Sequence, residues 1–419
     1  MNILIIHQNF PGQYKHLAPA LAARGDRVVA LTPKVDKATT WNGVRVLPYK
    51  IGGKPATGLH PWLVDFETKL LRAHSCYNAA MKVKEAGFMP DVILAHHGWG
   101  ESLFLKDVWP DARLGLYCEL YHINAYPFVN FDPEFPSKNP ASDGLRLRLK
   151  NLNNRLHFEV AEAGISPTQF QADTFPPEML ERITISHDGI DTQIVQPNAD
   201  ARLQVRADRV LSRDDEVITF INRNLEPYRG YHVFMRTLPK LLKARPNAEI
   251  VIIGGDGVSY GARPPGDKSW KQIFIDEVRP QISDADWGRV HFLGRVPYNV
   301  FLSMMQVSRA HVYLTYPFVL SWSLMEAMAA GAPIIASDTA PVKEVLQDGK
   351  NGLLVDFFDQ DAIVRRVGEM LDSPELAGKL RAQAREDVVR TYDLKTVCLP
   401  RQLAWVDELA ACDPRAPAT

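Results

Sequence analysis

Two arginines, Arg223 and Arg229, lie six residues apart in the run Arg223-Asn224-Leu225-Glu226-Pro227-Tyr228-Arg229-Gly230. The run follows an apolar stretch and precedes a helical pattern opening at Gly230. Forked cations beside a helix N-terminus offer charge and directed N–H donors, the chemistry that a departing diphosphate needs. Further on, Ser321-Trp322-Ser323-Leu324-Met325-Glu326-Ala327-Met328-Ala329-Ala330-Gly331 places Glu326 in the first turn of a helix, within reach of a ligand's hydroxyls. A purely local reading competes: Ser323-x-x-Glu326 fits a capping box, in which both side chains only satisfy backbone donors. In the first half, His7, His96, His97, Glu119 and His122 follow short apolar runs, where side chains project toward a ligand. They come from separate loops without ligand spacing, so the expectation is that no metal is bound. Asn9-Phe10-Pro11-Gly12-Gln13 joins the first apolar run to its helix; Gly12 there either lets a donor phosphate or sugar approach closely or simply makes a tight turn.

The elements that must hold these residues are readable from periodicity. Ile3 to Ile6, Arg27 to Leu31, Val44 to Leu47, Val92 to Ala95 and Leu114 to Cys118 are short apolar runs, expected as strands. Helical patterns alternate with them, notably from Trp62 to Lys84. A loop rich in Pro, Asn and Asp fills His122 to Asp143. A single helix is expected from Leu145 to Ala163, then a strand from Ile183 to His187. The polar stretch Asp191 to Arg202 marks a border, after which the alternation restarts: strands at Val217 to Ile221, Ala248 to Ile253, His291 to Leu293, Ala310 to Thr315, Pro333 to Ala336 and Gly352 to Val355. A helix runs from Gly230 to Ala244, and a loop from Gly254 to Gly266. Strands alternating with helices need crossover connections and give parallel sheets covered on both faces. The fold expected is α/β, with two doubly wound Rossmann-like domains facing a central cleft. The domains are 1–195 and 196–392, and residues 393–419 form a last helix that is expected to cross back to the first domain.

Composition is consistent with this and narrows the class. The 419 residues exceed what one core usually holds. The net charge of −1, from 48 basic and 49 acidic residues, gives no electrostatic footprint for nucleic acid. Cys76, Cys118, Cys398 and Cys412 form no CxxC pair, so neither zinc nor a disulfide framework is expected and a cytoplasmic location fits. No run reaches the length of a membrane span. Leu145-Arg146-Leu147-Arg148-Leu149-Lys150 is basic and partly amphipathic, a solvated helix face or a peripheral contact with the inner membrane surface. Nothing in the sequence speaks to oligomeric state.

The stretch from Ser321 to Val355 resembles the donor-site signature of family 4 retaining glycosyltransferases, of the two-Rossmann-domain (GT-B) type. Their pattern is a Glu, seven residues, then Glu-Ala-Met-Ala-x-Gly. The resemblance implies that Glu326 bonds the donor ribose. The first Glu of the pattern, which meets the transferred sugar, falls on Phe318 and is absent, so the segment Tyr316 to Ser321 would hold the sugar differently, through backbone N–H groups and the Ser321 hydroxyl at the helix start, with Trp322 and Ser323 also expected at the donor. It further implies that Arg223 and Arg229 stabilise the diphosphate, with a spacing of six where the family has five and with Arg in place of Lys. Val251-Ile252-Ile253-Gly254-Gly255-Asp256-Gly257 and Phe292-Leu293-Gly294-Arg295-Val296-Pro297 resemble further family segments, with Gly255 at the donor and Arg295 and Val296 beside the nucleobase. Where the family usually has a His near the reacting sugar, this chain has Glu119, a carboxylate able to stabilise oxocarbenium charge or attack as a nucleophile. His97 is its catalytic companion in this reading. The implied reaction is metal-independent retaining transfer from a UDP- or GDP-sugar, without cofactor, in polysaccharide biosynthesis. The acceptor is a glycan, a lipid carrier or a protein, with the Phe128 to Pro140 loop selecting it. Two rivals remain: a nucleotide-sugar-binding protein that has lost catalysis, and an epimerase or phosphorylase on the same fold.

Overall fold

The computed structural model describes residues 1–123 and 128–415. Residues 124–127, part of the loop expected from His122 to Asp143, lie outside the described residues. The chain divides into two compact units, one comprising Met1–Gly189 together with the segment from Leu394 onward, the other Ile190–Asp393. The border precedes the polar stretch because Ile190 is already drawn into the second unit. Its N–H donates to the Tyr392 carbonyl at 2.9 Å, and its side chain is buried in that unit's core.

Unit 1 is built on an eight-stranded sheet: β1 (Asn2–Ile6), β2 (Arg27–Thr32), β3 (Thr39–Trp41), β4 (Val44–Pro48), β5 (Val92–Ala95), β6 (Arg113–Tyr117), β7 (Ala163–Ser166) and β8 (Ile183–Ile185). The order across the sheet is β3-β4-β2-β1-β5-β6-β7-β8, with only β3 running antiparallel to its neighbour. Both faces are covered, which is why the central strands read as unbroken apolar runs. On one face α1 (Leu17–Ala23) and the helix Leu399–Ala410 pack on Ile3, Ile5, Val28 and Ala30. Gly115 makes room for the latter, since a Cβ there would lie 2.5 Å from Leu409. On the other face α2 (Val64–Glu85) packs Cys76 and Ala80 against Leu4, Ile6 and Ile93.

The helix expected over Leu145 to Ala163 is two helices, Asp143–Lys150 and Leu152–Val160, followed by β7. They divide at Asn151, whose side chain is committed elsewhere: Oδ1 accepts from the His122 N–H at 2.9 Å and Nδ2 donates to the His122 carbonyl at 2.6 Å. The strand β7 is only four residues long and its apolar residues continue the preceding helical spacing, so periodicity alone hides it.

Unit 2 opens with an antiparallel hairpin, β9 (Leu203–Arg206) and β10 (Arg209–Leu211), which the sequence reading leaves out. Its main sheet contains β11 (Val217–Asn224), β12 (Glu249–Gly255), β13 (Val290–Gly294), β14 (Ala310–Tyr313), β15 (Ile334–Ser337) and β16 (Leu353–Val355). The strands are all parallel, in the order β13-β12-β11-β14-β15-β16. This is the doubly wound order of dinucleotide-binding folds, in which the connections reverse direction beside the first strand. The reversal lies between β11 and β14 here, and between β1 and β5 in unit 1. Ligands of such sheets bind beyond the carboxyl ends of the strands flanking the reversal. Among the described residues, no helix is long and apolar enough to cross a membrane.

Candidate functional site

In unit 2 the two strands flanking the reversal deliver Arg229 and Thr315. After β11 the chain makes a short turn, Pro227–Arg229, and enters the helix Tyr231–Ala244 through Gly230. Gly230 has φ +70°, and a Cβ there would sit 2.2 Å from the Cβ of Leu314, so the turn requires glycine. Asn222 secures the turn by donating to the Arg229 carbonyl at 3.2 Å. The Arg229 side chain is buried, with 7% of the residue exposed. Its Nη1 donates to the Thr315 hydroxyl at 2.7 Å, and its guanidinium lies over the rings of Tyr260, at 5.3 Å, and Phe318, at 6.0 Å. Among the described residues no carboxylate pairs with it. A buried cation without a counter-ion is costly, and an anionic ligand relieves that cost.

The loop that brings Tyr260 over Arg229 is held by Glu226. This carboxylate is 1% exposed and accepts the backbone N–H groups of Ser259 at 3.1 Å, Gly261 at 3.3 Å and Tyr260 at 3.4 Å. Asn224 ties the same loop to β13 by donating to Ser259 Oγ at 2.7 Å and accepting from Arg295 Nη2 at 3.0 Å. Gly255 lies beneath that contact, where a Cβ would meet Arg295 Nε at 2.5 Å.

The helix Trp322–Ala330 begins at Ser321, whose hydroxyl accepts from the Ser323 N–H at 3.3 Å and meets the Ser323 hydroxyl at 2.9 Å. Ser321 N–H donates to Tyr313 Oη at 3.0 Å. Trp322 is exposed at the first helical position. Glu326 stands a full turn into the helix, half-buried, and accepts a hydrogen bond from Tyr298 Oη at 2.8 Å. Burial and the neighbouring Glu326 carboxylate raise the pKa of Tyr298, so the phenol stays protonated and donating.

In unit 1 the strands flanking the reversal end in histidines of one design. His7 Nδ1 accepts the N–H of Asn9 at 3.0 Å, and His96 Nδ1 accepts that of Gly98 at 3.3 Å. Each ring therefore carries its proton on Nε2. His7 Nε2 donates to Gln13 at 2.7 Å, and burial lowers its pKa to about 4. His96 is stacked between Trp99, at 4.1 Å and 21°, and Tyr117, at 5.3 Å and 22°. Its Nε2 lies 3.7 Å from Glu119 Oε2 and has no hydrogen-bond partner within the unit. Burial holds this imidazole neutral.

Two family models match the chain in succession: Glycosyl transferase family 4 group over residues 24–195, and Glycosyl transferases group 1 over residues 203–387. The chain belongs to the group 1 glycosyltransferase family, the two models together spanning most of it. It is 34% identical over 189 residues to the phosphatidyl-myo-inositol mannosyltransferase of Mycolicibacterium smegmatis, a match covering 44% of this chain and 43% of that protein. The chain thus spans about half the length of the curated relatives it matches first. Among solved structures, sucrose-phosphate synthase from Thermosynechococcus elongatus superposes with a TM-score of 0.75 at 18% identity, covering 98% of this chain and 100% of that one. HepE from Anabaena, in complex with UDP-glucose, superposes with a TM-score of 0.65 at 16% identity, covering 97% and 99%. These likenesses establish the GT-B fold.

The structure places several of the expected site residues differently from their expected surroundings. His97, expected as catalytic, is buried away from the strand-end position of His96, with Nδ1 3.1 Å from the Tyr117 carbonyl and Nε2 2.6 Å from Asn154 Oδ1, and burial lowers its pKa to about 4. The close approach that Gly12 permits is that of His7, because a Cβ at Gly12, where φ is +48°, would lie 2.1 Å from the imidazole. The Ser323/Glu326 capping box does not form, since Ser321 is the cap, and Glu326 lies beyond the first turn. Ser321 and Ser323 are engaged with each other at the helix start. Arg223 and Arg229 do not form a matched pair: Arg223 is exposed at the end of β11 while Arg229 is buried. Val296 is half-buried and packs against the core of unit 2, leaving the exposed Arg295 as the available side chain in that segment. Sequence reasoning missed Thr315, Tyr260, Glu226 and Tyr298. Of these, Glu226 alone carries a local signal, as an acid between two arginines; the others lie from 28 to 86 residues away from the partner they touch.

Proposed function

We propose that the protein transfers a glycosyl group from a UDP- or GDP-sugar to a hydroxyl acceptor with retention of anomeric configuration. The bond between the anomeric carbon and the diphosphate breaks, the acceptor oxygen bonds to the same face, and the acceptor proton leaves with the diphosphate. The buried Arg229 guanidinium, with no carboxylate partner among the described residues, carries this reading because it is poised to neutralise a leaving diphosphate. Arg223 adds a second, exposed cation. Glu326, presented by Tyr298, takes the ribose hydroxyls, and Arg295 flanks the base. Gly255 makes room for the Arg295 side chain, and Ser321, Trp322 and Ser323 line the approach to the helix start. Glu119 is assigned the stabilisation of positive charge at the anomeric carbon. Unit 1, with the Phe128 to Pro140 loop, is assigned the acceptor: a glycan, a lipid-linked sugar or a protein. No metal takes part in this scheme. A cytoplasmic location, with peripheral contact at the membrane through the exposed Leu145 and its neighbouring arginines, agrees with it.

A second reading has an observation in its favour: Phe318, where the family pattern has a Glu, packs on Tyr260 at 4.9 Å and on Arg229. A nucleotide-sugar-binding protein without turnover would tolerate that exchange. A panel of UDP-, GDP-, ADP- and dTDP-sugars separates the two, read by thermal stabilisation and by release of nucleotide. Stabilisation with slow release supports the transferase, stabilisation without release under any acceptor supports the binding protein, and no stabilisation by any donor rejects both.

A further inference from the structure

Unit 1 holds a concavity that the transfer reaction leaves unused. It is a cavity of about 1100 Å³ over the outer part of the sheet, where β2 and β4 lie beside α2. It exists because β2 is joined to β4 by the small strand β3, and no helix from that connection covers this face. Arg27, Val29 and Leu31 on β2 alternate onto this face, as do Arg45 and Leu47 on β4, where Val29 pairs with Arg45 and Leu31 with Leu47. Val83 and Lys82 of α2 form the opposite wall.

Three observations define what fits. The accessible apolar lining is aliphatic, with Leu47 and Val83 half-buried over the buried Val29 and Leu31, and Ser75 and Asn78 of α2 add polar groups; the aromatic residues Tyr49 and Phe88 are themselves buried and offer no platform for a sugar ring. Four cations border the cavity, namely Arg27, Arg45, Lys50 and Lys82, against one acid, Asp36. All four are exposed, and none has an ion-pair partner among the described residues; Arg27 lies over the Phe88 ring at 5.2 Å. Over the same region, from Arg27 to Lys54, the chain carries six cations and one carboxylate, although its net charge is −1. Arg27, Arg45 and Lys82 gather where β2 begins, at the opposite end of the strands from His7 and His96.

We infer that this cavity binds a single-chain anionic amphiphile, its hydrocarbon chain between Leu47 of β4 and Val83 of α2 and its phosphate among Arg27, Arg45 and Lys82. The volume lies slightly above the usual span of small-molecule sites, about 300–1000 Å³. A concave slot receives one chain, whereas a bilayer surface would need apolar residues standing proud of the fold. The inference is independent of the transferase reading, because the slot runs from the face of β2 and β4 to the segments that follow them, and these are not the strands flanking the reversal.

The test is calorimetric titration of the detergent-free full chain with decyl phosphate, with inorganic phosphate and the neutral decyl maltoside as comparators. Decyl phosphate is expected to bind once per chain, with both comparators at least about tenfold weaker. Arg45→Gln/Lys82→Gln and Leu47→Gln are each expected to weaken it about tenfold, while melting temperatures stay within the parent's range. These residues are exposed or half-buried, and a diazirine-bearing decyl phosphate cross-linking to peptides spanning 27–50 and 75–86 tests the same site without any variant. Equal binding of inorganic phosphate or of decyl maltoside overturns the inference. So does undiminished binding in the variants, displacement by UDP or GDP, or association only with phosphatidylcholine/phosphatidylglycerol vesicles.

Discussion

Replacing Arg229 by Ala tests the donor-site reasoning most directly. The side chain makes one hydrogen bond within the unit, 2.7 Å to Thr315, and has two rings beside it, so its forked N–H groups retain capacity for a ligand. Loss of one preorganised charged donor to a departing anion costs about 2.7–4 kcal/mol in the transition state, and so kcat/KM with a nucleotide-sugar should fall about 10²–10³-fold. Affinity for the free nucleoside diphosphate should fall less, by about 1.5–3 kcal/mol, the range of a hydrogen bond to a charged group. Arg229→Lys keeps the charge but loses the fork and the ring contact, and should lie between parent and Ala. Ala also leaves a void under Tyr260, so Thr315→Val serves as the control: it removes the internal hydrogen bond, leaves the cation, and should change kcat/KM far less. The assay is nucleotide release with the donor found in the panel, alongside calorimetric binding of UDP or GDP. A kcat/KM for well-folded Arg229→Ala within about twofold of the parent would refute the assignment.

Three further outcomes are expected. Glu119→Gln should reduce kcat by about 10²-fold or more while nucleotide binding is retained, because the carboxylate is assigned to charge at the anomeric carbon; unimpaired turnover removes it from the mechanism. Stability should fall in mild acid. His7, His97 and His187 are each lowered by burial from 6.5 to about 4, so between those values the unfolded chain binds protons that the folded chain excludes. Their contribution is complete above pH 6.5 and is lost as the pH falls toward 4, at about 1.4 kcal/mol per pH unit for each histidine, so a melting temperature unchanged from pH 7 to pH 5 would contradict it. Gly12→Ala should destabilise by about 1–3 kcal/mol, since it combines a positive φ with a Cβ that must displace His7, and a parent-like denaturation midpoint would show that the turn is not constrained in this way.

Much of the scaffold was legible because it is written in local periodicity. The runs Ile3 to Ile6, Val92 to Ala95 and Val217 to Ile221 are buried on both faces and read as strands without help from their neighbours. The small elements were not legible. β7 continues the spacing of the helix before it, and β9 and β10 are only four and three residues long. The break between the two helices that meet at Asn151 depends on His122, nearly thirty residues upstream.

The site divides along the same line. Sequence alone determined which residue types stand at strand ends and helix starts: the arginines around β11, the Glu-Ala-Met-Ala-x-Gly helix, and the histidines after β1 and β5. Tertiary structure decided which of them are available. It buried Arg229 under Tyr260 and left Arg223 in solvent, bound Glu326 to Tyr298, and consumed both nitrogens of His97 while leaving the Nε2 proton of His96 without a hydrogen-bond acceptor in its unit. Periodicity reports only which face of an element is apolar. Whether a charge or an imidazole is paired depends on groups distant in sequence, and burial then sets what an unpaired group costs, and so what it will bind.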